Sequence, residues 1–135
     1  MNDINTNYAI KMLLLKEARL QLLRLHKLLI DIERKRFENH YGQISNGQFL
    51  NLLVSELNFR WLRRFSTLIV EIDEMMDLDD GYTEYMIENY LSKIRDLINL
   101  DSEDEEFASK YKNSLQTETD VAVKHSEIEK LLSGE

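Results

Sequence analysis

Apolar residues recur at alternating steps of three and four through Leu15, Ala18, Leu22, Leu25, Leu29 and Ile32. That spacing keeps one face of an α-helix turned toward a core. No glycine or proline interrupts the chain from Tyr8 to Tyr41, and Gly42 follows as a suitable C-terminal stop. The pattern predicts one long first helix, ~50 Å at about 1.5 Å per residue. Its polar side carries Lys16, Arg19, Lys27, Asp31, Arg34 and Glu38, yet Leu20, Leu23 and Ile30 lean the same way. The apolar stripe is wider than one helix–helix seam requires, which makes Leu20, Leu23 and Ile30 candidates for self-association.

Ser45 with Gln48 three residues on is a capping box that opens the next helix. Phe49, Leu52, Leu53 and Leu57 continue its apolar pattern, Asn58 marks a bend, and Trp61, Leu62, Phe65, Leu68, Ile69, Ile72 and Met76 extend it. Residues 46–77 therefore read as one bent helix or two shorter ones. The Asp-rich stretch Asp77 to Gly81 is a turn. A helix from about Tyr82 to Leu100 turns Tyr85 or Met86, Tyr90, Ile94, Leu97 and Ile98 inward. Ser102 with Glu105 opens another, with Phe107, Tyr111 and Leu115 inward. A last helix runs from about Asp120 to Leu132, with Val121, Ile128 and Leu132 inward. The expected fold is all-α, an antiparallel four- to five-helix bundle built on a long N-terminal helix. Residues 1–135 make one domain, with flexible ends at 1–7 and 133–135.

Composition supports this reading. Proline is absent and glycine occurs four times, while Leu, Glu, Lys and Arg abound. The net charge of −8 hides a division: residues 1–70 hold 11 basic and 6 acidic side chains, residues 71–135 hold 6 and 19. The two halves are expected to face each other. An acidic whole argues against nucleic acid as the partner, because phosphate binding needs positive potential at the contact. No apolar span of about 20 residues is present for membrane insertion. The polar start MNDINTN lacks a basic leader, and the absence of cysteine suits a reducing compartment, so a cytoplasmic location is expected.

Chemistry is sparse. His26 and Glu33 are seven residues apart on one helix face, so a carboxylate could act on the imidazole, although a half-covered boundary histidine is the plainer reading. His125 and Glu129 supply at most two metal ligands where three or four are needed. No Glu-x-x-His motif supports a di-metal site. Asp77 to Glu88 resembles a calcium loop only loosely, since glycine falls at its fifth position instead of its sixth. No nucleotide or nucleophile motif occurs, and neither a metal nor a cofactor is expected.

The segment NFRWLRRFS is the most informative polar cluster. Arg60 and Arg64 form one i,i+4 edge beside the Trp61 and Phe65 edge, an arrangement suited to an acidic partner or an anion, with Arg63 between them. The structural alternative buries the two rings and sets the arginines against the acids of the later helices.

Residues 22–42, LLRLHKLLIDIERKRFENHYG, and 59–77, FRWLRRFSTLIVEIDEMMD, resemble a group of short, uncharacterised bacterial helical proteins. In that group an Arg-x-His segment leads into Asp-x-Glu, and a Trp-Leu-Arg segment leads into Ile-Asp-Glu. The matching positions are Arg24, His26, Asp31, Glu33, Trp61, Leu62, Arg63, Ser66, Ile72, Asp73 and Glu74. The resemblance implies a bacterial helical bundle and brings no activity, substrate or cofactor. An ionic network between Asp31 or Glu33 and Arg63 would fix helix register.

Two functional expectations follow. One is a noncatalytic interaction or regulatory bundle that contacts a protein partner, or itself, through His26, Asp31, Glu33, Arg60, Trp61, Arg63 and Arg64. The other is a small-molecule or anion-binding bundle, enzymatic or not, with an interhelical pocket near His26, Glu33, Trp61 and Arg63.

Overall fold

The computed structural model describes residues 3–100 and 104–133. Among these residues all regular structure is helical, with six α-helices and no strand. The helices are α1 (Asp3–Tyr41), α2 (Asn46–Ser55), α3 (Arg63–Met76), α4 (Glu84–Ile98), α5 (Glu105–Thr117) and α6 (Thr119–Ser133). A 3-10 segment, Leu57–Leu62, joins α2 to α3. Of the ends expected to be flexible, residues 1–2 and 134–135 lie outside the described residues, while 3–7 belong to α1.

The stripe on α1 is the centre of the core: Met12, Leu15, Ala18, Leu22, Leu25 and Leu29 are all buried. Covering one such leucine contributes ~1.5–3 kcal/mol. Helices α3, α4 and α6 pack around it. Along α3 and α2 the partner numbers fall as those of α1 rise: Arg19 meets Asp73, His26 stacks on Phe65, and Arg34 lies over Phe49. Along α6 and its start they fall as well, from Lys124 against Gln21 to Glu118 against Arg36. Gly42 ends α1 at a positive φ of 96°, where its N–H donates to the Glu38 carbonyl at 2.8 Å. A side chain there would be strained, hence glycine.

The region expected as one bent helix or two shorter ones is two α-helices, α2 and α3, joined by the 3-10 segment. Ser45 caps α2 as the capping box requires: its hydroxyl accepts from the Gln48 N–H at 3.1 Å, and the Gln48 side chain accepts from the Ser45 N–H at 2.9 Å. The break at Glu56 follows from what lies beyond it. Phe59, Trp61, Leu62, Phe65 and Leu68 are all buried, and four of them stand at steps of three. The tighter 3-10 winding, with three residues per turn, stacks Phe59 and Leu62 directly on one face before α3 resumes the α-helical period.

In α4 the buried face is Ile87, Leu91, Ile94, Leu97 and Ile98, so Tyr85 is exposed and Met86 and Tyr90 only half-buried. Ile94, Leu97 and Ile98 are buried as expected, whereas in the first half of the helix the aliphatic Ile87 and Leu91 take the inward positions expected of Tyr85 or Met86 and of Tyr90. Helix α5 is capped by Asp104, whose carboxylate accepts from the Phe107 N–H at 3.1 Å. The expected cap Ser102 lies outside the described residues. Phe107 and Tyr111 are buried as expected, as are Val121, Ile128 and Leu132 of α6.

The basic first half answers the acidic second. Lys11 pairs with Glu84 and Glu88, Arg19 with Asp73, Arg36 with Glu118, Arg60 with Glu106 and Arg64 with Asp104. No described helix is long and apolar enough to cross a membrane.

Candidate functional site

The 3-10 winding that buries Phe59, Trp61 and Leu62 turns the guanidinium groups of Arg60, Arg63 and Arg64 outward. Trp61 packs edge-on against Phe65 and tilts onto Phe107, and Phe65 and Phe107 in turn meet Tyr111. Its indole N–H is buried without an acceptor, a cost of ~1–3 kcal/mol. The ring area it contributes to the aromatic core offsets that cost.

Arg60, Trp61, Arg63 and Arg64 share an open groove of about 750 Å³ with Glu71, Lys93, Asp96, Asp104 and Glu106. Its cations are already engaged. Arg60 donates to Glu106 at 2.8 Å, Arg64 to Asp104 at 3.2 Å, and Lys93 lies 3.8 Å from Glu71. Hydrogen bonding to Arg60 lowers the Glu106 pKa and raises that of Arg60. The Asp104 carboxyl is lowered first by the Phe107 N–H it caps and then by Arg64. The groove is amphoteric, with four cations and four carboxylates around a Trp edge.

Arg63 lines the groove but is engaged by backbone carbonyls instead of a carboxylate. Its guanidinium donates to the carbonyl of Leu53 at 3.3 Å and to that of Val54. The last carbonyls of a helix have no partner within it, and Arg63 supplies one for α2. The expected network from Asp31 or Glu33 to Arg63 is therefore not formed. Glu33 pairs with Arg36 at 2.9 Å, one turn along α1, and Asp31 lies 3.5 Å from Lys27.

The expected pocket around His26, Glu33, Trp61 and Arg63 is not assembled either. Trp61 and Arg63 line the groove, whereas His26 and Glu33 do not. His26 is half-buried with its ring stacked 6.0 Å from Phe65, and burial lowers its pKa. It is a boundary histidine. The candidates for self-association are also largely absorbed: Ile30 packs against the core, Leu20 is half-buried, and Leu23 is 38% exposed.

Two features went unread in the sequence. One is the contact of Tyr111 with His125, 2.6 Å from hydroxyl to Nδ1; the neighbour of His125 that the sequence did show, Glu129, lies 3.3 Å from Nε2. Burial pushes the Tyr111 phenol well above its ordinary pKa, so it stays the donor and the neutral imidazole the acceptor. Burial also lowers the His125 pKa, partly offset by Glu129. Among the described residues no group of three or more His, Cys, Asp or Glu side chains is placed to hold a metal ion.

The other is the outward face of α2. Leu50, Val54 and Leu57 are 62%, 68% and 70% exposed. Leu50 and Val54 are an i,i+4 pair on α2, and Leu57 opens the 3-10 segment just past the extended Glu56. Helix α2 has no charged residue, in a chain of which 31% is charged. The signal was present as the uncharged run NGQFLNLLVS, but the inward and outward leucines of so short a helix cannot be told apart by period alone.

No protein-family model, curated protein or solved structure matches the chain.

Proposed function

We propose that this chain is a noncatalytic protein-interaction module: a single cytoplasmic domain, an antiparallel helical bundle, that contacts its partner through α2. The observation that carries the reading is the exposure of Leu50 and Val54 on the uncharged helix α2 and of Leu57 just past its end, each more than three-fifths exposed. Scattered single apolar residues are ordinary on a surface, whereas several large ones concentrated on one short stretch mark a contact. The bundle supplies the rigid backing, because Arg34 holds the start of α2 through Asn46 and Ile44, and Arg63 holds its end.

The small-molecule reading has less behind it. The groove by Arg60 to Arg64 is open, its cations are each engaged, and no nucleophile and base meet in it. Nucleic acid would find those arginines interleaved with carboxylates.

A photoreactive amino acid at position 54, compared with one at the exposed Val123 of α6, tests the reading in cells that make the protein. A discrete protein adduct at position 54, absent at 123, is expected. Equal or absent labelling at the two positions contradicts it.

A further inference from the structure

We infer that the hydrogen bond between Tyr111 and His125 is an acid-released latch, which holds α5 on α6 while the imidazole is neutral and frees α5 when the ring takes up a proton. The latch is separate from the α2 face and does not depend on it.

The two neighbours of the ring set its tautomer. Glu129 stands 3.3 Å from Nε2 and, as a carboxylate, can only accept there, so Nε2 carries the proton. Nδ1 is left with a lone pair, and the Tyr111 hydroxyl donates to it at 2.6 Å. The phenol is fully buried and has no second hydrogen-bond partner among the described residues.

Charging the ring puts a proton on Nδ1 as well. Two donors then meet across a gap that holds one proton. Tyr111 can accept the new N–H only by turning away its own O–H, for which the core offers no other partner, and an unmade bond of a buried donor costs more than a made one gains. The charge finds little compensation where it stands. The ring faces Tyr111 from α5 and Glu129 from α6, and no charge of α1 or α4 acts on its titration. Glu129 is half-exposed, so solvent screens its attraction. Burial is the larger influence and favours the neutral form. A charged His125 is relieved by swinging toward Glu129 and solvent, and that movement breaks its bond to Tyr111.

Helix α5 is the element such a break frees. It packs chiefly on α6 and the 3-10 segment, whereas α1 packs on α3, α4 and α6. Its other polar ties are exposed: Arg60 to Glu106, Arg64 to Asp104, and Lys110 to the Asn58 carbonyl. Phe107 and Tyr111 sit on Trp61 and Phe65, so lifting α5 uncovers an aromatic face that neutral pH keeps closed.

Imidazole titration by NMR, with amide exchange of the full chain from pH 7.5 to 5 corrected for intrinsic rates, is the test. His125 is expected to titrate below the ordinary 6.5. Tyr111→Phe keeps the ring and removes the donor to Nδ1, so the His125 value rises, whereas Glu129→Gln lowers it. Below about pH 6.5 the opening of α5 gains up to about tenfold per pH unit, the slope of one proton. Its amides lose protection on that slope while those of α1 keep theirs. His26→Gln leaves this loss in place, and His125→Gln, whose neutral amide can still accept from Tyr111, abolishes it. A wild-type His125 value at or above 6.5, or acid loss of protection equal in α5 and α1, overturns the latch without recourse to any variant. So does a His125 value unmoved by Tyr111→Phe, because burial alone then sets the titration.

Discussion

At the scale of single residues, Arg63 and the two half-buried histidines carry the clearest consequences. Arg63 satisfies the end carbonyls of α2, so Arg63→Ala is expected to cost ~0.5–1.5 kcal/mol in urea unfolding, with faster amide exchange confined to the end of α2. Arg63→Lys should restore little, because a single ammonium cannot span two carbonyls as a planar fork does. His26 and His125 both have pKa values lowered by burial from the ordinary 6.5. The unfolded chain then binds more protons below that pH, so stability is full above about 6.5 and falls as the pH drops through the histidine range. Thermal unfolding from pH 7.5 to 5 should show Tm falling on the acid side. His26→Gln together with His125→Gln should flatten that part of the profile. These contacts were hidden in the sequence because each joins residues far apart in the chain: Phe65 under His26, and Tyr111 on His125 from the next helix.

At the scale of elements, legibility tracked how strictly a face was patterned. Helix α1 was plain, since Leu15 to Leu29 keep one azimuth over several turns and Gly42 ends it. The capping box of α2 was equally plain, and Ser45→Ala is expected to destabilise the protein by ~1 kcal/mol, with circular dichroism losing about the helicity of one short helix. The split at Ser55 was not plain. Phe59, Leu62, Phe65 and Leu68 at steps of three fit the edge of an α-helical stripe as well as a 3-10 turn, and tertiary burial of Trp61 decided between them. Trp61→Phe should therefore be milder than its size suggests, within about 1 kcal/mol of wild type, because the lost ring area is offset by removing an unsatisfied buried N–H. Trp61→Ala should cost ~3–5 kcal/mol. Chemical denaturation of the two variants separates these values.

At the scale of the whole molecule, the opposed charge of the two halves foretold that they would face each other, but not which pairs would form. The pairs that do form are exposed or half-exposed, and each contributes little. A double-mutant cycle on Arg60 and Glu106, which are 55% and 37% exposed, should give a coupling below about 1 kcal/mol. What the charges do instead is select where another molecule can approach. The arginine cluster that stood out in the sequence is spent on internal acids and on α2, while the uncharged helix beside it keeps Leu50 and Val54 in solvent. The functional signal was thus an absence of charge, which stands out only once burial separates the inward Phe49 from the outward Leu50, Val54 and Leu57.

The most direct measurement is photocrosslinking in cells that make the protein, with the reactive residue at position 50 or 54 of α2 or at position 23 of α1. If α2 is the contact surface, discrete protein adducts form from positions 50 and 54 and not from 23. No adduct from α2, or adducts confined to position 23, would contradict the account.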